Sequence, residues 1–380
     1  MIYFDNAATS YPKPASVLES LRHSINSHTN PGRGAYPLSA NAASAVWAAR
    51  AAAADFFGCG EPEKVIFTIN ATHALNIAIH SLGLERAHSI ISCFEHNSVL
   101  RPMEAVSENG GSYSVFDVDL YDDDKTVRHV LELIRPETKA AVFTHISNVC
   151  GKILPLEKII NAIKSTRDDI IIIIDAAQSA GILEIDMSRQ RIDMLCVPAH
   201  KGLYGIMGCG AIILGERIDP AELKPLLRGG SGTNSLDFAM PDFAPERFEA
   251  GTLNVPAIAA MRAGIEYVKG KGTDKIQTHL RSLYDYAFDI LKEQKRIKIY
   301  SAPSIHGYTA VILFNIDGID SESAAFFLGE NRICVRAGYH CSPLAHRKLG
   351  TLEGGAIRIS FGCGNKKSEI DRMREVLRKM

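Results

Sequence analysis

An acid and an amine at the ends of two apolar runs carry the strongest chemical signal in this sequence of 380 residues. Four isoleucines, Ile171 to Ile174, end abruptly at Asp175, and the stretch from Met194 to Val197 runs directly into Pro198-Ala199-His200-Lys201. Such runs read as buried strands of a parallel sheet, and ligands of open α/β sheets sit at the carboxyl ends of strands. The two runs are separated by about one strand, crossover and strand unit. Asp175 and Lys201 are therefore expected at adjacent strand ends, facing a common ligand. A lone lysine after a strand is more often a snorkelling surface charge, so the reading depends on what else arrives at the same edge.

The elements that must position these groups follow from patterning. Short β-rich runs at 65–68, 89–94, 112–118, 140–145, 170–174, 194–198 and 209–214 alternate with helix-spaced apolar residues at 71–81 and 156–165. That alternation predicts an α/β fold with a mostly parallel seven-stranded sheet and helices on both faces. Asn70-Ala71-Thr72 supplies an N-terminal cap for the first helix, whose free N–H groups make a candidate phosphate cradle. Residues 228–254, rich in Gly, Ser and Pro, read as a long functional loop. A helix from Pro256 then leads into mixed strands and helices. The expected division is a large domain over 15–255 and a smaller α+β domain made of 1–14 with 256–380.

Composition narrows the classes. Forty-two basic against 43 acidic residues leave a net charge of −1, so nothing favours nucleic acid or a membrane surface as a partner. No apolar run approaches the roughly 18 residues needed to span a bilayer, and the N-terminus has no signal-peptide pattern, so a cytoplasmic location is expected. The eight cysteines show neither CxxC pairs nor disulfide density, so no metal site is expected. Cys93, Cys196 and Cys209 lie in apolar segments and read as small hydrophobes. Cys341 lies between Arg336-Ala337-Gly338-Tyr339-His340 and Ser342-Pro343, a polar, partly cationic context that lowers a thiol pKa.

Pyridoxal 5'-phosphate asks four things of a protein: an amine, a carboxylate for its ring nitrogen, an imidazole or aromatic face, and a phosphate cup. Lys201, Asp175, His96 and the Asn70-Ala71-Thr72 turn can supply them. The same residues sit in a series of short segments: Tyr3-Phe4-Asp5-Asn6-Ala7-Ala8-Thr9, Asn30-Pro31-Gly32-Arg33-Gly34, Phe67 to Thr72, Glu95-His96-Asn97-Ser98, His145 to Gly151, Asp175-Ala176-Ala177-Gln178, His200-Lys201, Phe248 to Asn254, Arg336 to Cys341 and Arg358-Ile359-Ser360. In this order they resemble the class V aminotransferase family of pyridoxal-phosphate enzymes, in its cysteine desulfurase and selenocysteine lyase branch, over nearly the whole chain. The resemblance implies the aspartate aminotransferase-like fold of pyridoxal-phosphate-dependent transferases.

Carried over position by position, the resemblance makes Lys201 the covalent anchor of the cofactor and the base at the substrate Cα. His96 would stack on the ring and Asp175 pair with its nitrogen. Gln178 would touch the phenolic oxygen, and Asn148 that oxygen or the substrate carboxylate. Ala71, Thr72 and His200 would hold the phosphate, with Thr252 arriving from a second subunit of a homodimer. Arg358 would clamp the substrate carboxylate, with Ala8, Arg33 and Arg336 lining the substrate side. Cys341 would take sulfur from L-cysteine as a persulfide, leaving L-alanine, and Arg336 and His340 would raise its thiolate fraction. A selenocysteine lyase, another class V aminotransferase or lyase, and a non-catalytic protein with the same fold are the alternatives. The short interval between Cys341 and Arg358 resembles the short-loop, group II members, in which a small acceptor protein takes the sulfur. Three positions depart from the family pattern: His73 replaces an acid, Ile182 a histidine, and Pro198 a serine of the phosphate cup, for which backbone amides, or Ser231 and Thr233, are candidate substitutes.

Overall fold

The computed structural model of the chain describes every residue except Arg33. Its strands are β1 (Ile2–Tyr3), β2 (Val65–Thr68), β3 (His88–Ser92), β4 (Ser112–Phe116), β5 (Thr138–Thr144), β6 (Ile171–Asp175), β7 (Met194–Pro198), β8 (Gly210–Leu214), β9 (Ile297–Ile299), β10 (Val311–Ile316), β11 (Ile333–Cys334) and β12 (Ile357–Ser360). The seven expected runs are the strands of one sheet in the order β2-β8-β7-β6-β5-β3-β4, with the bounds of β2 and β7 as expected and the others displaced by at most two residues. Pairing from β4 to β7 is parallel, whereas β8 runs antiparallel to both β7 and β2. The β7–β8 connection is too short for a parallel crossover, which needs about a dozen residues or more, so the chain must turn back.

The isoleucine run shows why parallel strands lose their polar alternation. Ile172 and Ile174 enter one core and Ile173 the other, each with no exposed surface. Fully burying one such side chain contributes about 1.5–3 kcal/mol. Helices Ala71–Ser81 and Asn97–Glu108 cover the face of Ile173, and helices Pro37–Phe56, Leu156–Thr166 and Val255–Lys271 lie on the opposite side.

From β3 the chain steps outward to β4 and then returns to β5 on the other side of β3. That reversal is a topological switch point, where α/β sheets open a crevice for ligands. The segments after β3, β5, β6 and β7 all leave from this edge, and so does the start of helix Ala71–Ser81 after β2.

Two smaller sheets complete the fold. β12, β10 and β9 form an antiparallel sheet, and β1 pairs in parallel with β11, so the first residues are tied to the last fifth of the chain. Helix Val255–Lys271 packs on helices Ala15–Ser27 and Pro37–Phe56. Its Gly264 lets it press on the loop after Lys201, because a Cβ there would stand 1.9 Å from the Leu203 carbonyl oxygen. Residues 228–254 form the expected irregular loop.

Candidate active site

At the switch point the strand ends enclose a cavity of about 290 Å³ lined by Asn70, Ala71, Thr72, His96, Ser98, Thr144, Asn148, Asp175, Ala177, Gln178, Pro198, His200 and Lys201. Register explains the convergence: Asp175, the last residue of β6, stands beside Thr144 of β5 and Cys196 of β7. Lys201 follows just beyond β7. Ala71, Thr72, His96, Asn148, Asp175, Gln178, His200 and Lys201, far apart in sequence, therefore share one wall.

Desolvation sets the charge states. Burial lowers the Lys201 amine to about 8, against the opposing pull of Asp175. Burial raises the Asp175 carboxyl, which accepts the Ala177 N–H at 2.8 Å, and the Lys201 charge counters that rise. Burial, reinforced by Lys201 and nearby arginines, lowers His96 to about 4, so its imidazole is neutral. The Ser98 N–H donates to His96 Nδ1 at 3.0 Å, which places the ring proton on Nε2.

The phosphate-type end is built on helix Ala71–Ser81. Asn70 caps it by accepting the His73 N–H at 2.8 Å, and the first internal bond is Ala74 N–H to Asn70 O at 3.2 Å. The Ala71 and Thr72 amides lie ahead of that bond, in the anion-favouring position of a helix start. Thr72 Oγ1 stands 2.7 Å from Ser98 Oγ, so Ser98 adds a second hydroxyl to this end of the cavity. Ser231 and Thr233 are 3.3 Å from one another on the long loop and are not among the residues lining the cavity. His200 Nδ1 is buried without a partner among the described residues, an orphan that an incoming acceptor would satisfy. A hydroxyl pair, a helix start and an orphaned imidazole nitrogen at one end, with Asp175 and Lys201 deeper in, fit pyridoxal phosphate.

The other predicted residues that the structure describes are not in the wall of this cavity. Arg358 is buried, donating from Nη2 to Asp5 Oδ1 at 2.8 Å and from Nη1 to the Asn148 carbonyl at 2.9 Å. Arg336 is exposed, 3.9 Å from Asp5 Oδ2. Ala8 is partly buried in the N-terminal segment, Thr252 is exposed on the long loop, and Arg33 lies outside the described residues.

Cys341 is exposed at the rim, on a groove that shares Thr72, His96 and Ser98 with the cavity. His340 does not supply the positive charge expected beside it. Burial and the Arg358 charge push His340 down to about 2, and its ring stacks on His346. A buried imidazole beside a guanidinium stays neutral, which leaves Arg336 as the cation of that segment.

Several contributors were not assigned from sequence. Ser98 and Thr144 line the cavity, Asp5 holds Arg358, and Glu95, the residue before His96, is wholly buried. Asp5, Glu95 and Ser98 fall inside the segments quoted above, but residue type alone does not distinguish a ligand-facing group from one that supports it.

A mostly parallel sheet gathers a lysine, a carboxylate and an imidazole at its switch point, and the relatives of the chain define its class. The chain belongs to the Aminotransferase class-V family, which matches residues 2–373. It is 30% identical over 396 residues to a "Probable cysteine desulfurase" of Pyrococcus abyssi (strain GE5 / Orsay), covering 100% of this chain and 94% of the relative. It is 29% identical over 384 residues to the cysteine desulfurase of Haloferax volcanii, covering 98% of this chain and 88% of that one. The apo structure of a cysteine desulfurase from Thermococcus onnurineus NA1 superposes with a TM-score of 0.89 at 28% identity, over 100% of this chain and 94% of that one.

Proposed function

We propose that this protein is a pyridoxal-phosphate-dependent cysteine desulfurase, converting L-cysteine to L-alanine and leaving the sulfur on Cys341. The observation that carries this reading is that Lys201, Asp175 and His96 meet in one cavity whose rim presents an exposed cysteine. Bound pyridoxal phosphate would supply an electron sink for the bonds to the substrate Cα.

The residues of the chain do the rest. Lys201 would anchor the cofactor and, with an amine near 8, exchange a proton with the substrate Cα close to neutral pH. Asp175 would hold the ring nitrogen and neutral His96 would cover the ring. The phosphate would lie at Ala71 and Thr72 with Ser98 and His200, and Gln178 and Asn148 would stand beside the ring oxygen. Arg358, Arg336 and the Ala8 segment would receive the substrate carboxylate. The Cys341 thiolate attacks the substrate sulfur. An S–S bond forms, the substrate Cβ–S bond breaks, and its electron pair is taken up on the alanine side, where protonation completes L-alanine.

The same reading assigns Thr252 to the phosphate site of a second copy in a homodimer, places a domain boundary near residue 255, and calls for a small acceptor protein to collect the sulfur. Its support for the dimer is that Thr252 is exposed and does not line the cavity of its own chain.

The test is product analysis of cofactor-loaded protein with L-cysteine and a dithiol. Equal amounts of sulfide and alanine are expected, with sulfide lost in Cys341→Ala. No alanine from the loaded wild type rejects the reading, and selenocysteine cleavage that survives Cys341→Ala while cysteine is untouched identifies a selenocysteine lyase instead.

A further inference from the structure

Ser342 occupies a position where it ought to do something else. It is the residue before helix Pro343–Leu349, and a serine there ordinarily accepts a helix N–H, yet its hydroxyl makes no capping bond. The side chain is fully buried and donates instead to Asn148 Oδ1 at 2.8 Å. Asn148 in turn donates from Nδ2 to the His340 carbonyl at 2.8 Å. The Cys341 carbonyl accepts the Asn97 N–H at 2.7 Å, from the residue that follows His96.

These bonds close around two consecutive non-glycine residues in the left-handed region, His340 with φ 50° and Cys341 with φ 56°. Side chains with a Cβ avoid that region, and it persists only where surroundings over-determine it. The His340 ring is also anchored, with Nδ1 3.1 Å from His346 Nε2 and His346 Nδ1 2.7 Å from Thr351 Oγ1.

We propose that Ser342 is a positioning residue for Cys341: its hydroxyl locks the Asn148 amide, which holds the strained turn that aims the thiol at the cavity rim. With Oδ1 committed to Ser342, the Asn148 amide has one orientation, and Nδ2 faces the turn. Removing the hydroxyl leaves a buried oxygen without its donor and lets the turn relax toward ordinary φ values. The proposal rests on the desulfurase reading for its catalytic consequence, but not for the geometry of the turn.

The experiment compares wild type, Ser342→Ala and Ser342→Thr as loaded protein. In Ser342→Ala, kcat for sulfide release should fall about ten- to a hundredfold, the cost of a roughly 1 Å misplacement. Exchange of the alanine Cα hydrogen with solvent deuterium, which uses Lys201 but not the thiol, should fall far less, by no more than about threefold, since Asn148 is one of several groups around the ring whereas the turn alone aims the thiol. Ser342→Thr should recover most of the loss. A comparable fall in both rates, or wild-type kcat in Ser342→Ala, overturns the proposal. Alkylation of Cys341 by iodoacetamide in unreacted protein is the readout independent of function. It should proceed about threefold faster or more once the turn is freed, and equal rates in wild type and Ser342→Ala reject the clasp even if the enzyme is no desulfurase. Should Ser342→Ala not fold, Ser342→Cys keeps the volume with a weak donor and is held to the same outcomes.

Discussion

At the scale of residues, burial does most of the chemical tuning. With its amine at about 8, roughly one Lys201 in ten is neutral at pH 7, against fewer than about one in a thousand for an unperturbed lysine. Uptake of pyridoxal phosphate by cofactor-free protein should therefore rise with pH and reach half its maximal rate near pH 8; a midpoint above about 10, the unperturbed lysine range, contradicts this. Stopped-flow absorbance would show it. Glu95 is the more severe case. Burial raises its carboxyl to about 8, while Oε1 accepts the Thr144 N–H at 2.9 Å and the Ser92 hydroxyl, and Oε2 has no partner among the described residues. The folded protein thus keeps a proton that the unfolded chain releases near 4.5. The contribution of Glu95 to stability is undiminished below that pH, falls as pH rises through the window up to about 8, and levels off beyond it. Glu95→Gln should remove that fall and gain a few kcal/mol at pH 8 relative to wild type. Urea unfolding across pH would measure it, and parallel pH curves for the two proteins would refute it.

Among the elements, the loop that carries Thr252 is fastened by one buried ion pair. Arg50, in helix Pro37–Phe56, makes a two-pronged contact with Glu249, and Glu249 also accepts the Phe67 N–H of β2. Both side chains are about 5% exposed. Deleting one partner strands the other charge in the core, so Glu249→Ala should cost about 3–5 kcal/mol, seen as a lower urea midpoint with an unchanged slope. A loss below about 1 kcal/mol, the range of exposed pairs, would mean that the pair is hydrated in solution. The sheet order itself was readable only in part. Strand runs and the Asn70 cap were legible because period and capping chemistry are local, whereas the antiparallel insertion of β8 depends on a connection too short to cross over.

For the whole molecule, the long loop is the part left without a core of its own. Leu236 and Phe238 are almost wholly exposed on it, an arrangement that a single chain gains nothing from. Burial of these side chains against a second copy is the expected arrangement. Sedimentation should report a dimer, and Phe238→Asp should shift it toward monomer and weaken cofactor retention together, since Thr252 lies on the same loop. A monomeric wild type that holds its cofactor would refute this.

The sequence by itself determined the seven strands and the helix start at Asn70 and singled out the candidate reactive groups, because strand period, capping and residue chemistry are local properties. It also marked Pro198 as a missing hydroxyl. Only the tertiary structure decided that Ser98 meets Thr72, since they come together through the packing of two helices that are separate in sequence. It likewise decided that His340 is a neutral buried ring rather than a cation, and that Asp5, at the other end of the chain, holds Arg358. Charge state follows from desolvation and from neighbours in space, and neither is written in the order of residues.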